Sequence, residues 1–137
     1  MNCGEFYFFI AIIAKRLTTM YIKMLAKSYP IILLVISNVF MMFAWYGHLK
    51  FTDKPLYSVI FFSWLIAFVE YCFAVPANRL GHQYYSAAEL KTMQEVITLC
   101  VFVIFSVLYL GESITINHII GFILIFAGAF FIFKGPF

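Results

Sequence analysis

The chain has 137 residues, of which 65% are hydrophobic and 11% charged, with a formal net charge of +3. An ordinary soluble domain is about 45–50% apolar and about 25% charged, so the surplus apolar surface must face lipid, and a soluble enzyme is excluded. A hydrocarbon layer of about 30 Å asks for roughly 20 apolar residues per helix, which gives this length four spans and leaves no room for an extramembrane domain.

Residues 1–29 form a basic extension that fits no span of its own. The apolar run from Phe6 to Ala14 is nine residues, about 14 Å of helix, and cannot cross a bilayer. Lys15, Arg16, Thr19, Lys23 and Lys27 follow on one helical side, the pattern of an amphipathic helix lying at the interface. No small-x-small cleavage site follows the run, so it is not read as a signal peptide. The alternative is that translation starts at Met20 or Met24.

The first span is expected over 30–49, with Pro30 at the helix start and Trp45, Tyr46 and His48 at the far interface. The second is expected over 56–75, ending at Pro76, which cannot continue the helical ladder without a kink. The polar stretch 76–88, punctuated by Pro76 and Gly81, reads as a loop. The third span is expected over 92–111. Its uncharged stretch, 96–111, is only 16 residues, so reaching full length places Glu95 inside the membrane edge. The fourth, 114–133, follows a turn at Gly111, Glu112 and Ser113 short enough to make the last two spans an antiparallel hairpin. The fold class is therefore all-α, an integral membrane four-helix bundle.

Orientation follows from Lys and Arg. With the amino terminus cytoplasmic, seven basic residues lie inside (Lys15, Arg16, Lys23, Lys27, Arg79, Lys91, Lys134) against Lys50 and Lys54 outside. Both termini are therefore expected to be cytoplasmic, in a multi-pass protein of the inner or plasma membrane. A start at Met24 would leave four against two, a bias weak enough to allow dual insertion.

Few residues could carry chemistry. Glu70 is a carboxylate within a span, where such a group is costly and normally faces the bundle interior or an aqueous cavity. Burial and its position toward the carboxyl end of the helix both disfavour the charged form, as a proton-exchanging site requires. Ser63 shares its helical face. Glu95, flanked by Gln94, is expected near the depth of Glu70, where it could tune the protonation of that group. Equally, Lys91, four residues earlier, could satisfy Glu95 with no function involved. Asn38, beside Ser37 and near the middle of the first span, is either a site residue or an interhelical hydrogen-bonding group. Trp45, Tyr46 and His48 are either an interface belt or part of a binding box.

Gly121 and Gly128 stand on one side of the last helix and mark a close helix contact, within the chain or across a dimer. Cys3, Cys72 and Cys100 have no metal-ligand spacing. No nucleophile and base set, phosphate loop or HExxH pattern occurs. No enzyme activity, metal or cofactor is therefore expected, and the basic residues flank apolar segments rather than forming a nucleic-acid surface.

The segment YLGESITINHIIGFILIFAGAFFIFK, residues 109–134, resembles the last hairpin of the drug/metabolite transporter superfamily, in which a Gly-Glu turn precedes a G-x6-G helix. The blocks FAWYGHLKF, EYCFAVPANRLG and SAAELKTMQEVITL resemble a small four-span family within it that has no assigned substrate. The resemblance covers about residues 30–134.

It implies a transporter-like membrane protein that acts as a homodimer on an unknown small molecule, with Gly121 and Gly128 matching dimer-contact glycines. The distantly similar small multidrug resistance transporters carry a proton-exchanging carboxylate in the first span. Here that span has Ser37 and Asn38 instead, so proton antiport transfers to no matching position. The expected substrate and proton residues are Glu70, Glu95, Asn38, Ser63, Gln94, Trp45, Tyr46 and His48. The rival expectation is a membrane scaffold or interaction subunit, in which Glu70 and Asn38 only lock helix packing.

Overall fold

The structure is a computed structural model that describes the backbone of residues 3–134 and the side chains of residues 12–134. Most of the apolar run 6–14 therefore lies outside the residues whose side chains are described. Four helices are long and apolar enough to cross a membrane: the segments Ile12–Lys50, Leu56–Gly81, Ala87–Leu110 and Ile116–Lys134. The chain is an all-α, multi-pass membrane protein.

Helix α1 runs unbroken over Cys3–Tyr46, 44 residues with Pro30 inside it, and a short 3-10 turn, Gly47–Lys50, ends it. The helix does not begin at Pro30. At 1.5 Å per residue α1 is about 66 Å long, more than twice the hydrocarbon thickness, so the extension continues the first span instead of forming a separate helix. Pro30 removes one ladder hydrogen bond, a loss that a membrane helix tolerates when neighbouring helices pack around it. Here Pro30 is fully buried, and its Cβ lies 3.3 Å from where a Cβ on Gly81 would stand.

The second span repeats the lesson. Helix α2 covers Leu56–Gly81 and passes through Pro76 instead of stopping there. The residues after Pro76 are held by packing: Ala77 has no exposed surface and forms the core with Leu33 and Leu34, against which Phe73 and Ile97 lie. Phe40 and Phe73 stack with ring centroids 5.7 Å apart. Burying that face outweighs the one hydrogen bond that proline deletes.

The loop is consequently only residues 82–86. Helix α3, Ala87–Phe105, starts on a capping box in which Ser86 Oγ accepts from the Glu89 N–H and the Glu89 carboxylate accepts from the Ser86 N–H. Its last turn widens to a π-turn, Ser106–Leu110, and ends at Gly111 with φ of 76°. That left-handed conformation is ready for glycine and strained for other residues. The turn is closed by Glu112, whose N–H donates to the Ser106 carbonyl at 3.1 Å and whose carboxylate accepts from Ser106 Oγ at 2.7 Å.

Helix α4, Ile116–Lys134, begins two residues later than expected. Thr115 Oγ1 accepts from the His118 N–H at 3.4 Å and His118 Nδ1 accepts from the Thr115 N–H at 3.3 Å, a reciprocal cap. Helix α1 packs mainly on α2 and then on α3, whereas α4 leans chiefly on α3. None of the residues of α4 is buried.

Candidate functional site

Depth is set by the α1–α2 pair. The inward stripe of α2 runs through Ser63, Ile66, Glu70, Ala74, Ala77 and Gly81, spaced three or four residues apart as one helical face requires. Toward Gly81 the stripe is closed, with Ala74, Ala77 and Gly81 buried. Glu70 stands in the middle, 7% exposed. Ser37 of α1, fully buried, donates its hydroxyl to Glu70 Oε1 at 2.9 Å. Among the described residues Glu70 is thus held by one neutral donor and no cation, so no ion pair ties its carboxylate.

One residue along α1, Asn38 joins a second network. Its Nδ2 donates to the Leu34 carbonyl at 2.8 Å, so its Oδ1 faces α3 and accepts from Thr98 Oγ1. The Thr98 hydroxyl also lies 2.7 Å from the Gln94 carbonyl, so its single proton is shared between two acceptors. Ser37 and Asn38 together tie α1 to both α2 and α3 at one level of the bundle.

On the other side of Ile66 the stripe opens. A cavity of about 500 Å³ lies between the end of α1, the following turn, the first turns of α2 and Tyr109, with Ser63 and Ile66 in its wall. Ile66 is one helical turn from Glu70. Aromatic rings define the cavity's α1–α3 side: Phe43 meets Phe105 and Tyr109 edge-on at 5.1 and 5.3 Å between centroids. The Tyr109 hydroxyl donates to the Gly47 carbonyl at 3.2 Å, which pins the π-turn to the end of α1.

The expected site residues divide into groups. Glu70, Asn38 and Ser37 come together at one level. Ser63 and His48 line the cavity. Glu95 goes elsewhere: it is exposed and pairs with Lys91 at 2.6 Å, and no hydrogen bond joins it to Glu70 among the described residues. Gln94 contributes its backbone carbonyl to Thr98.

Trp45 is 67% exposed and points away from the bundle, and the Tyr46 ring packs edge-on to Phe102 at 5.3 Å. Gly121 and Gly128 make no close helix contact within the chain's described residues, since a Cβ added at either would meet no atom of another element within 4 Å. Thr98, Lys54, Ser58 and Tyr109 were not singled out by sequence. Thr98 carries no charge or spacing signal, and the others meet only through the tertiary fold. Among the described residues no group of three His, Cys, Asp or Glu could hold a metal ion.

No curated protein and no solved structure matches the chain. A family model does, over residues 30–133, described as "Putative member of DMT superfamily (DUF486)". It begins at Pro30 and ends at Phe133, spanning the buried level of Ser37, Asn38 and Glu70, the cavity and the last helix. The chain therefore belongs to this DUF486 family, a small family of the drug/metabolite transporter type with no assigned function.

Proposed function

We propose that the chain is a small-molecule transporter of the inner or plasma membrane, working as a homodimer, with Glu70 as its coupling or substrate-binding carboxylate. The observation that carries this reading is the position of Glu70: buried at mid-span, bound by the Ser37 hydroxyl alone, and one turn from a cavity of about 500 Å³. An intramembrane carboxylate without a cation is expensive to keep unless it serves a pathway. Family membership supports the transporter class as an analogy, because fold does not fix function.

The dimer is supported by α4. It is predominantly apolar, carries no buried residue, and has room for an added Cβ at both Gly121 and Gly128. A small-residue face of this kind lets a second helix approach closely. The Lys and Arg count supports a cytoplasmic position for both termini.

Alternating access is the test. A transporter exposes a shared site to each side in turn, so cysteine introduced at Ser63 should be labelled from both sides, with the balance shifted by ligand. Glu70→Gln should abolish substrate-linked proton movement in proteoliposomes while the protein remains inserted and folded. The second reading, a scaffold, is favoured by the completeness of the Ser37–Glu70 and Asn38–Thr98 hydrogen bonds. It requires one fixed labelling pattern and no effect of Glu70→Gln on transport.

A further inference from the structure

Each polar side chain that lines the cavity can donate a hydrogen bond to a ligand, and none is acidic. Lys54 supplies an ammonium group, and Ser58 and Ser63 supply hydroxyls that make no hydrogen bond within the described residues. His48 is the informative member. Its Nδ1 is buried and has no partner, and among the described residues Nε2 makes no hydrogen bond. Either ring tautomer leaves Nδ1 unanswered by the protein, so the polar contact that the ring can offer a ligand is at its accessible edge, Nε2.

No Asp or Glu stands in the cavity wall. The nearest acid in sequence, Asp53, is already engaged with Lys54 at 3.2 Å. That exposed pair holds weakly and can open to a competing anion. A second ammonium, Lys50, lies 4.5 Å from the centroid of the Tyr109 ring, and Tyr109 is itself part of the wall. The remaining lining is apolar or aromatic, from Phe43 and Phe62 to Ile66 at the deep end.

We propose that this cavity binds an amphiphilic anion, an apolar body carrying a carboxylate, in preference to a lipophilic cation. The headgroup sits at Lys54 and His48, and the apolar body runs along Phe62 toward Ile66. A cation would find aromatic faces but no counter-charge in the wall, and would lie against the Lys54 ammonium group. The assignment rests on the transporter reading only in treating the cavity as a substrate site, since binding itself requires no transport, and it takes Glu70, one turn beyond Ile66 and outside the wall, as the coupling carboxylate and not as the substrate-binding one.

The test uses the full chain in phosphatidylcholine nanodiscs and a photoactivatable decanoate bearing a diazirine near its tail. Labelling should saturate, map to residues 62–66, and be displaced by decanoate but not by equal decyltrimethylammonium. Lys54→Gln should weaken displacement by decanoate about fivefold, as loss of one partly solvated opposite charge predicts, and should leave displacement by uncharged decanol unchanged. His48→Phe should act in the same direction.

Equal displacement by the cation, or unsaturable labelling spread over lipid-facing positions of α4, would overturn the assignment. So would labelling abolished by phosphatidylglycerol in the discs, which would give the site to a lipid headgroup. Saturable binding with no decanoate uptake in proteoliposomes would sink the transport reading and leave the binding site standing.

Discussion

Replacing Ser37 with alanine deletes the hydroxyl that donates to Glu70 Oε1 at 2.9 Å and leaves a carboxyl group that is 7% exposed with no protein donor. Hydrogen bonds between membrane helices average ~0.6 kcal/mol and reach ~1.7 kcal/mol. Glu70 has no second donor to fall back on, so the expected loss for Ser37→Ala lies near the top of that range, ~1.5 kcal/mol, or about tenfold in the folded-to-unfolded ratio. Glu70→Gln keeps an oxygen that can accept from Ser37, so it should cost less than ~0.5 kcal/mol.

Glu70→Leu removes the buried polar group and its cost together. Because Ser37 can turn back to a carbonyl of its own helix, this variant should be neutral or more stable. The assay is pulse proteolysis of the full chain across an SDS titration in mixed micelles, with a double-mutant cycle on Ser37→Ala and Glu70→Leu. The coupling energy should be ~1 kcal/mol. A Ser37→Ala variant indistinguishable from wild type, or a coupling of zero, would refute the claim that this bond fastens α1 to α2.

Gly81→Ala places a Cβ 2.7 Å from Leu90 Cδ2 and 3.3 Å from Pro30 Cβ; it should cost ~1–2 kcal/mol by SDS unfolding, and its cost should be largely absent when added to a Leu90→Ala background, which lacks the closer atom. Ser86→Ala breaks the capping box and should cost ~1 kcal/mol, with hydrogen exchange rising at the first turn of α3 and not in α2. Gly121→Leu with Gly128→Leu should leave monomer folding intact, because no atom lies within 4 Å of either added Cβ. It should lower crosslinked dimer in membranes, and an unchanged dimer would rule out that face as the contact.

Much of the architecture was legible because a lipid-facing helix must be apolar over a length set by the bilayer. That rule located four spans and left Glu70 conspicuous in the second. The helix ends were less legible. Pro76 reads as a boundary, yet stands inside α2 because Ala77 and Gly81 beyond it are buried; Pro30 reads as a helix start, yet α1 runs through it, its ring fully buried and its Cβ beside Gly81. The start of α3 was written plainly in Ser86-Ala87-Ala88-Glu89, a capping-box spacing, but counting uncharged residues placed the span start later.

The site divides along the same line. Local rules were enough for Glu95, whose partner Lys91 lies four residues away on its own helix, and for the cost of placing Glu70 in a span. They could not pair Glu70 with Ser37, 33 residues distant, or Asn38 with Thr98, 60 residues distant. Helical periodicity says which side chains share a face of one helix but carries no information about which face of another helix it will meet.

That choice was made by packing. The small residues Ala74, Ala77 and Gly81 let α2 close against α1 below Glu70, and above it the cavity opens between the turn at Gly47, the first turns of α2 and Tyr109. The sequence by itself determined that the protein lives in a membrane, how many times it can cross, and that one span carries a carboxylate. Only the tertiary structure decided that this carboxylate is held by a serine, that its neighbouring cavity holds a lysine and no acid in its wall, and that the last helix carries no buried residue, because each depends on contacts between residues far apart in the chain.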